Sequence, residues 1–138
     1  MIARLLRQLG VLLAAALLPA LVSGAVQLQW RDDTPPVRGE VSASTIRAWG
    51  EPVLWVDARS RAKFEREHLP GAVLLNEDEW ETLIAPFLEA WDPDRKVVVY
   101  CDGGRCEASA AVAERLRSEL KLPDVYVLEG GWRAWAGE

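Results

Sequence analysis

The sequence predicts an α/β domain, with a central parallel five-stranded sheet and helices on both faces. Three observations carry that prediction. Short strand-like runs alternate with helix-like patterns from Gly39 to the end of the chain. The clearest strand runs, Val53-Leu54-Trp55-Val56 and Val97-Val98-Val99, are apolar throughout. A strand buried on both faces belongs in a parallel sheet covered by helices. Finally, Gly50/Pro52, Pro70-Gly71, Asp92-Pro93-Asp94, Pro123 and Gly130-Gly131 punctuate the patterns at short intervals.

In chain order, Glu40–Ser42 reads as a short strand and Ser44 as the cap of a helix running through Trp49. Val53–Val56 is the next strand. Ser60 caps a short helix to about Glu67, whose many charges suit a solvated face. Pro70-Gly71 turns the chain into a strand at Ala72–Leu75. Trp80, Leu83, Ile84, Phe87, Leu88 and Trp91 recur at helical spacing and predict an amphipathic helix. Lys96–Tyr100 is the most strongly buried strand. Ala108, Val112, Leu116 and Leu120 line the face of the following helix. Val125–Leu128 forms the last strand, and Trp132–Trp135 a closing helical turn. Ligand sites in such sheets lie beyond the carboxyl ends of the strands.

Residues 1–25 read as an address. Arg4 and Arg7 precede a charge-free run from Leu9 to Val26, broken by Pro19 and ending on Ser23-Gly24-Ala25. A basic start, an apolar middle and small residues at the end make a secretory signal peptide. The same run is just long enough for an uncleaved membrane anchor through residues 9–26. Both readings place the remainder outside the cytoplasm, either periplasmic and anchored in the inner membrane or secreted. Residues 26–38, with Thr34-Pro35-Pro36, form an extended lead-in. Residues 39–138 form the domain.

With 138 residues, one domain is expected. Half the residues are apolar and 27% are charged, which excludes wholesale disorder. The net charge of −5 argues against nucleic acid as a partner, since phosphate binding needs a basic face. Two cysteines and one histidine are too few for a Cys/His zinc site or a disulfide-rich scaffold. The tryptophans read as core or groove residues.

Chemistry is expected in the loop after Lys96–Tyr100. Cys101 follows the strand directly, and Asp102, Gly103, Gly104, Arg105, Cys106 and Glu107 lead into a helix. Two glycines allow a short loop to take positive φ and turn successive N–H groups inward. The helix N-terminus adds partial positive charge. A cysteine in that setting is a thiolate at neutral pH, suited to act as a nucleophile, while the cradle is suited to hold an anion. The plainer alternative is a packed core thiol beside a flexible turn.

Four motifs then fall in order. They are Val56-Asp57-Ala58-Arg59, His68-Leu69-Pro70-Gly71-Ala72, Val98-Val99-Tyr100-Cys101 with Gly104, and Leu128-Glu129-Gly130-Gly131-Trp132 followed by Trp135. Over about residues 38–137 the chain resembles the rhodanese (sulfurtransferase) superfamily. The resemblance implies a thiosulfate sulfurtransferase-like enzyme that forms a persulfide on Cys101 and needs no metal or organic cofactor. A small donor such as thiosulfate or a persulfide would supply sulfur to a thiol, to cyanide or to a partner protein. The resemblance also assigns Asp57, Arg59 and His68 to holding the loops near the site.

The loop departs from the family's C-x-x-G-x-R run. Cys106 stands where the arginine is usual, and Arg105 precedes it. Asp102 and Glu107 flank the loop and are expected to repel dianions. Glutamate at position 107 also argues against a phosphatase, which would need a longer cradle and an arginine there. Cys106 opens a second reading, thiol–disulfide exchange with Cys101, in which it could also resolve a Cys101 persulfide. A permanent disulfide and an unpaired core thiol are the structural alternatives. A third reading is a non-catalytic domain that binds an anion or senses redox state.

Overall fold

In this computed structural model, residues 38–104 and 107–137 are described. They belong to one compact unit, Pro36–Glu138, and the address segment and most of the lead-in lie outside the described residues. Ten elements alternate: β1 (Glu40–Val41), α1 (Ala43–Ala48), β2 (Leu54–Asp57), α2 (Arg61–Arg66), β3 (Val73–Leu74), α3 (Trp80–Ala90), β4 (Val97–Tyr100), α4 (Glu107–Ser118), β5 (Val125–Leu128) and α5 (Gly131–Ala136). The five strands form one sheet in the order β1-β5-β4-β2-β3, with every neighbouring pair parallel. The predicted α/β class and the five-stranded parallel sheet are therefore present.

Side chains alternate across the pleat and divide the core into two layers. Leu54, Val56, Val97, Val99, Val125 and Val127 face α3 and α4, which contribute Trp80, Leu83, Phe87, Val112, Ala113 and Leu116. Trp55, Val98, Tyr100, Tyr126 and Leu128 face the other way, against Ala43 and Ile46 of α1 and Trp132 and Trp135 of α5. All four β4 residues are buried, because β4 lies between β5 and β2 with helices on both sides.

Local corrections follow from packing. The cap of α1 is Ser42, whose hydroxyl accepts from the Thr45 N–H, rather than Ser44. Ser60 occupies the cap position of α2 but makes no side-chain cap bond. Helix α3 runs through Pro86. The Thr82 carbonyl that Pro86 cannot serve lies on the exposed side, so water can satisfy it. On that helix Trp80, Leu83 and Phe87 are buried, while Leu88 is 44% exposed. The buried stripe of α4 is Ser109, Val112, Ala113 and Leu116, shifted from the predicted face, and Leu120 lies beyond the helix end.

Candidate active site

The parallel register sets Asp57 beside Tyr100, so the chain leaves β2 and β4 at the same end of the sheet. Cys101 follows β4 immediately and is only 2% exposed. It is disulfide-bonded. Cys106, the other cysteine of the sequence, lies outside the described residues, as does Arg105. The Ser109 hydroxyl, buried on α4, donates to Cys101 Sγ over 3.6 Å.

The described part of the loop is shaped by glycine. Gly103 and Gly104 have φ of +134° and +67°. The start of α5 presses against Cys101 and Gly103. The Trp132 N–H donates to the Cys101 carbonyl over 2.8 Å. A Cβ on Gly131 would stand 2.5 Å from Gly103 N and 2.6 Å from the Cys101 oxygen. Gly130-Gly131 is thus the seat of the loop as well as a turn. Glu129, beside it, ties its N–H to the Val41 carbonyl over 2.9 Å.

Arg59 is the buried hub behind the loop. Asp57 Oδ1 accepts from the Arg59 backbone N–H at 2.9 Å and from Nε at 3.0 Å, and Oδ2 accepts from Nη2 at 2.8 Å. Nη2 also donates to the Glu67 carbonyl over 2.6 Å, holding the segment before His68. Nη1 reaches Asp102 at 3.4 Å. The guanidinium lies 4.8 Å from the Trp132 ring centre and 5.6 Å from that of Tyr100. The hydrogen bonds that Arg59 donates to Asp57 raise its pKa further, against the opposing effect of burial. An ion pair this buried pays for desolvation only with many good contacts, and removing one partner costs about 3–5 kcal/mol. The other side of the hub is closed by Asn76, which donates to the Arg59 carbonyl over 3.1 Å and accepts from the Glu79 N–H over 2.8 Å.

Asp102 carries compensated charge. Burial pushes its carboxyl pKa up, but the hydrogen bond and charge of Lys63, followed by those of Arg59, bring it below the usual value. Lys63 and Arg59 thus offset the charge that Asp102 presents beside the loop. The charged face of α2 is solvated, as expected, with no buried residue, and its Lys63 pairs with Asp102. Glu107 opens α4 and is exposed. His68 is exposed, stacked on Phe64 with ring centres 3.9 Å apart. Its Nδ1 lies 2.7 Å from the Phe64 carbonyl, which can only accept, so Nδ1 carries the proton. Leu69 next to it donates its N–H to the Tyr100 hydroxyl over 3.1 Å.

The arrangement brings Cys101, Asp102, Gly103, Gly104, Asp57 and Arg59 together at the carboxyl end of the sheet. Sequence reasoning missed Ser109, Lys63 and Asn76. Ser109 left a signal: 109, 112, 113 and 116 are helical neighbours on one face, and only the first is polar. Lys63 and Asn76 left none, because their partners are distant in sequence.

A rhodanese-like domain model matches residues 43–138. A thiosulfate sulfurtransferase GlpE of Shewanella oneidensis is 36% identical over 80 residues, covering 58% of this chain and 72% of that protein. The protein of the same name from Pseudomonas syringae is 34% identical over 93 residues, covering 67% and 79%. A crystal structure of a rhodanese-like domain protein from Staphylococcus aureus aligns with a TM-score of 0.52 at 26% identity, covering 70% of this chain and 89% of that one.

Proposed function

The chain belongs to the rhodanese-like domain family, and from that premise we propose that it is a sulfurtransferase whose Cys101 carries the sulfur as a persulfide. The observation that carries this reading is the position of Cys101. It stands at the carboxyl end of the central strand, on a glycine loop backed by a buried Arg59–Asp57 pair. The names of the relatives support thiosulfate as donor.

In the reduced enzyme the Cys101 thiolate attacks the outer sulfur of thiosulfate. The S–S bond of the donor breaks, sulfite leaves with the electron pair, and Cys101 becomes a persulfide anion. A thiolate or cyanide then attacks the outer sulfur. The bond to Cys101 Sγ breaks, and the pair returns to Sγ as thiolate. Loop N–H groups and the α4 N-terminus stabilise the anions at each stage. The Asp57–Arg59–Asp102 chain keeps the loop in register. The apolar run after Arg4 and Arg7 supports export of the domain, cleaved or anchored.

The disulfide-bonded state of Cys101 favours a second reading. Thiol–disulfide exchange through Cys101 and Cys106 would alternate this oxidised form with a dithiol. A persulfide on Cys101 could likewise be resolved by Cys106, releasing hydrosulfide and restoring the disulfide. Two variants separate the readings in steady-state assays with thiosulfate and cyanide. Cys101→Ser abolishes transfer under both. Cys106→Ser keeps thiocyanate formation if Cys101 works alone. No thiocyanate from the parent chain, with a disulfide-exchange activity that Cys106→Ser abolishes while the fold stays intact, would overturn the single-cysteine mechanism in favour of the dithiol one.

A further inference from the structure

Ser109 stands where an apolar residue would serve the fold better. It is 2% exposed, in line with Val112, Ala113 and Leu116 on the buried face of α4. Its neighbours in the sequence are Ala108, Ala110 and Ala111. Alanine has the higher helix propensity and buries no hydroxyl, so helix propensity and apolar packing do not call for serine here. Its Oγ lies 3.6 Å from Cys101 Sγ, within hydrogen-bonding range for sulfur.

We propose that Ser109 is a positioning residue for the sulfur chemistry, donating its hydroxyl hydrogen to Cys101 Sγ from the core side of the loop and stabilising negative charge on that atom. This rests on Cys101 being the reacting sulfur. A donor favours the charged form of its acceptor, so the bond is stronger to a thiolate than to a thiol or a disulfide. It therefore acts twice in the cycle. Before sulfur uptake it holds Cys101 ionised, the thiol proton having gone to solvent. During delivery, as the Sγ–S bond breaks and the electron pair stays on Sγ, it stabilises the departing thiolate. The donor comes from the buried face of α4.

The test is the pH dependence of iodoacetamide alkylation at Cys101, mapped by peptide mass, in the full reduced chain carrying Cys106→Ser. Replacing Ser109 with alanine is expected to raise the midpoint by about one pH unit, a tenfold loss of thiolate below the midpoint. Ser109→Thr, which keeps the hydroxyl, is expected to retain the lower midpoint. Thermal unfolding is read in parallel, and an alanine variant at least as stable as the parent shows that the shift is not misfolding. An unchanged midpoint in Ser109→Ala, or a raised one in Ser109→Thr, would overturn the proposal. Alkylation needs no sulfur donor. Failure of the parent chain to accept sulfur would thus count against the sulfur-transfer reading alone, with the Ser109 titration still readable.

Discussion

Replacing Gly131 with alanine tests how the active loop is seated. The added Cβ would stand 2.5 Å from Gly103 N, 2.6 Å from the Cys101 oxygen and 2.6 Å from Gly103 Cα. Ordinary contact distances begin nearly an ångström further out. All three atoms are backbone, so no side chain can swing aside. Overpacking of this kind costs about 1–3 kcal/mol. The positive φ of Gly131, +64°, adds left-handed strain of about 1–2 kcal/mol for any residue with a Cβ. Displacing α5 from the loop also threatens the Trp132 N–H to Cys101 carbonyl bond, with a net worth of about 0.5–1.5 kcal/mol. Together these give roughly 2.5–6.5 kcal/mol.

Gly104 supplies the control. Its φ is +67°, but a Cβ there meets nothing within 4 Å. Gly104→Ala should therefore lose only the strain of about 1–2 kcal/mol. Urea unfolding of the oxidised chain, followed by tryptophan fluorescence, measures both. Gly131→Ala is expected to be less stable than Gly104→Ala by about 2 kcal/mol or more. Sulfur transfer should fall at least tenfold in Gly131→Ala, because Cys101 moves with its carbonyl. Equal stability of the two variants would refute the claim that α5 seats the loop.

Two further outcomes follow from the hub. Asp57→Asn leaves the buried Arg59 without its counter-charge and should cost about 3–5 kcal/mol in denaturant unfolding. A loss below about 1 kcal/mol, the size of a surface pair, would contradict the hub. Asp102→Asn should cost far less, since its carboxylate is half open to water and screened. That cost has a pH signature. A carboxyl whose folded pKa is lowered stabilises the fold above its unfolded value, and loses that stabilisation as pH falls through the folded value. Parent and variant should thus differ in Tm at neutral pH and converge below the ordinary aspartate range of about 3.9. A difference that persists or grows at the acid end would contradict the compensated-charge account.

The sheet was legible because burial on both faces leaves a local mark. Val97-Val98-Val99 and Val125–Leu128 need no distant partner to read as strands. Cys101 was legible as a site candidate because the carboxyl end of a central strand is a fixed place in this architecture. Elements fixed by near-equal local choices were less so. Ser42 and Ser44 can each cap α1, and tertiary placement of the chain selects Ser42. Leu88 lies at the edge of the α3 stripe and stays exposed, because the sheet accepts only Trp80, Leu83 and Phe87 fully. The contact of Lys63 with Asp102 spans sequence-distant elements that no periodicity links. The role of Gly131 was half visible: a glycine pair announces a turn, but not which backbone will press against it.

The central claim is that Cys101 carries sulfur, and intact-mass spectrometry of the fully reduced chain exposed to thiosulfate tests it most directly. The account predicts one added sulfur atom, mapped to Cys101 and removed by cyanide. No added sulfur, with ready reoxidation of the two cysteines to a disulfide in its place, would contradict it.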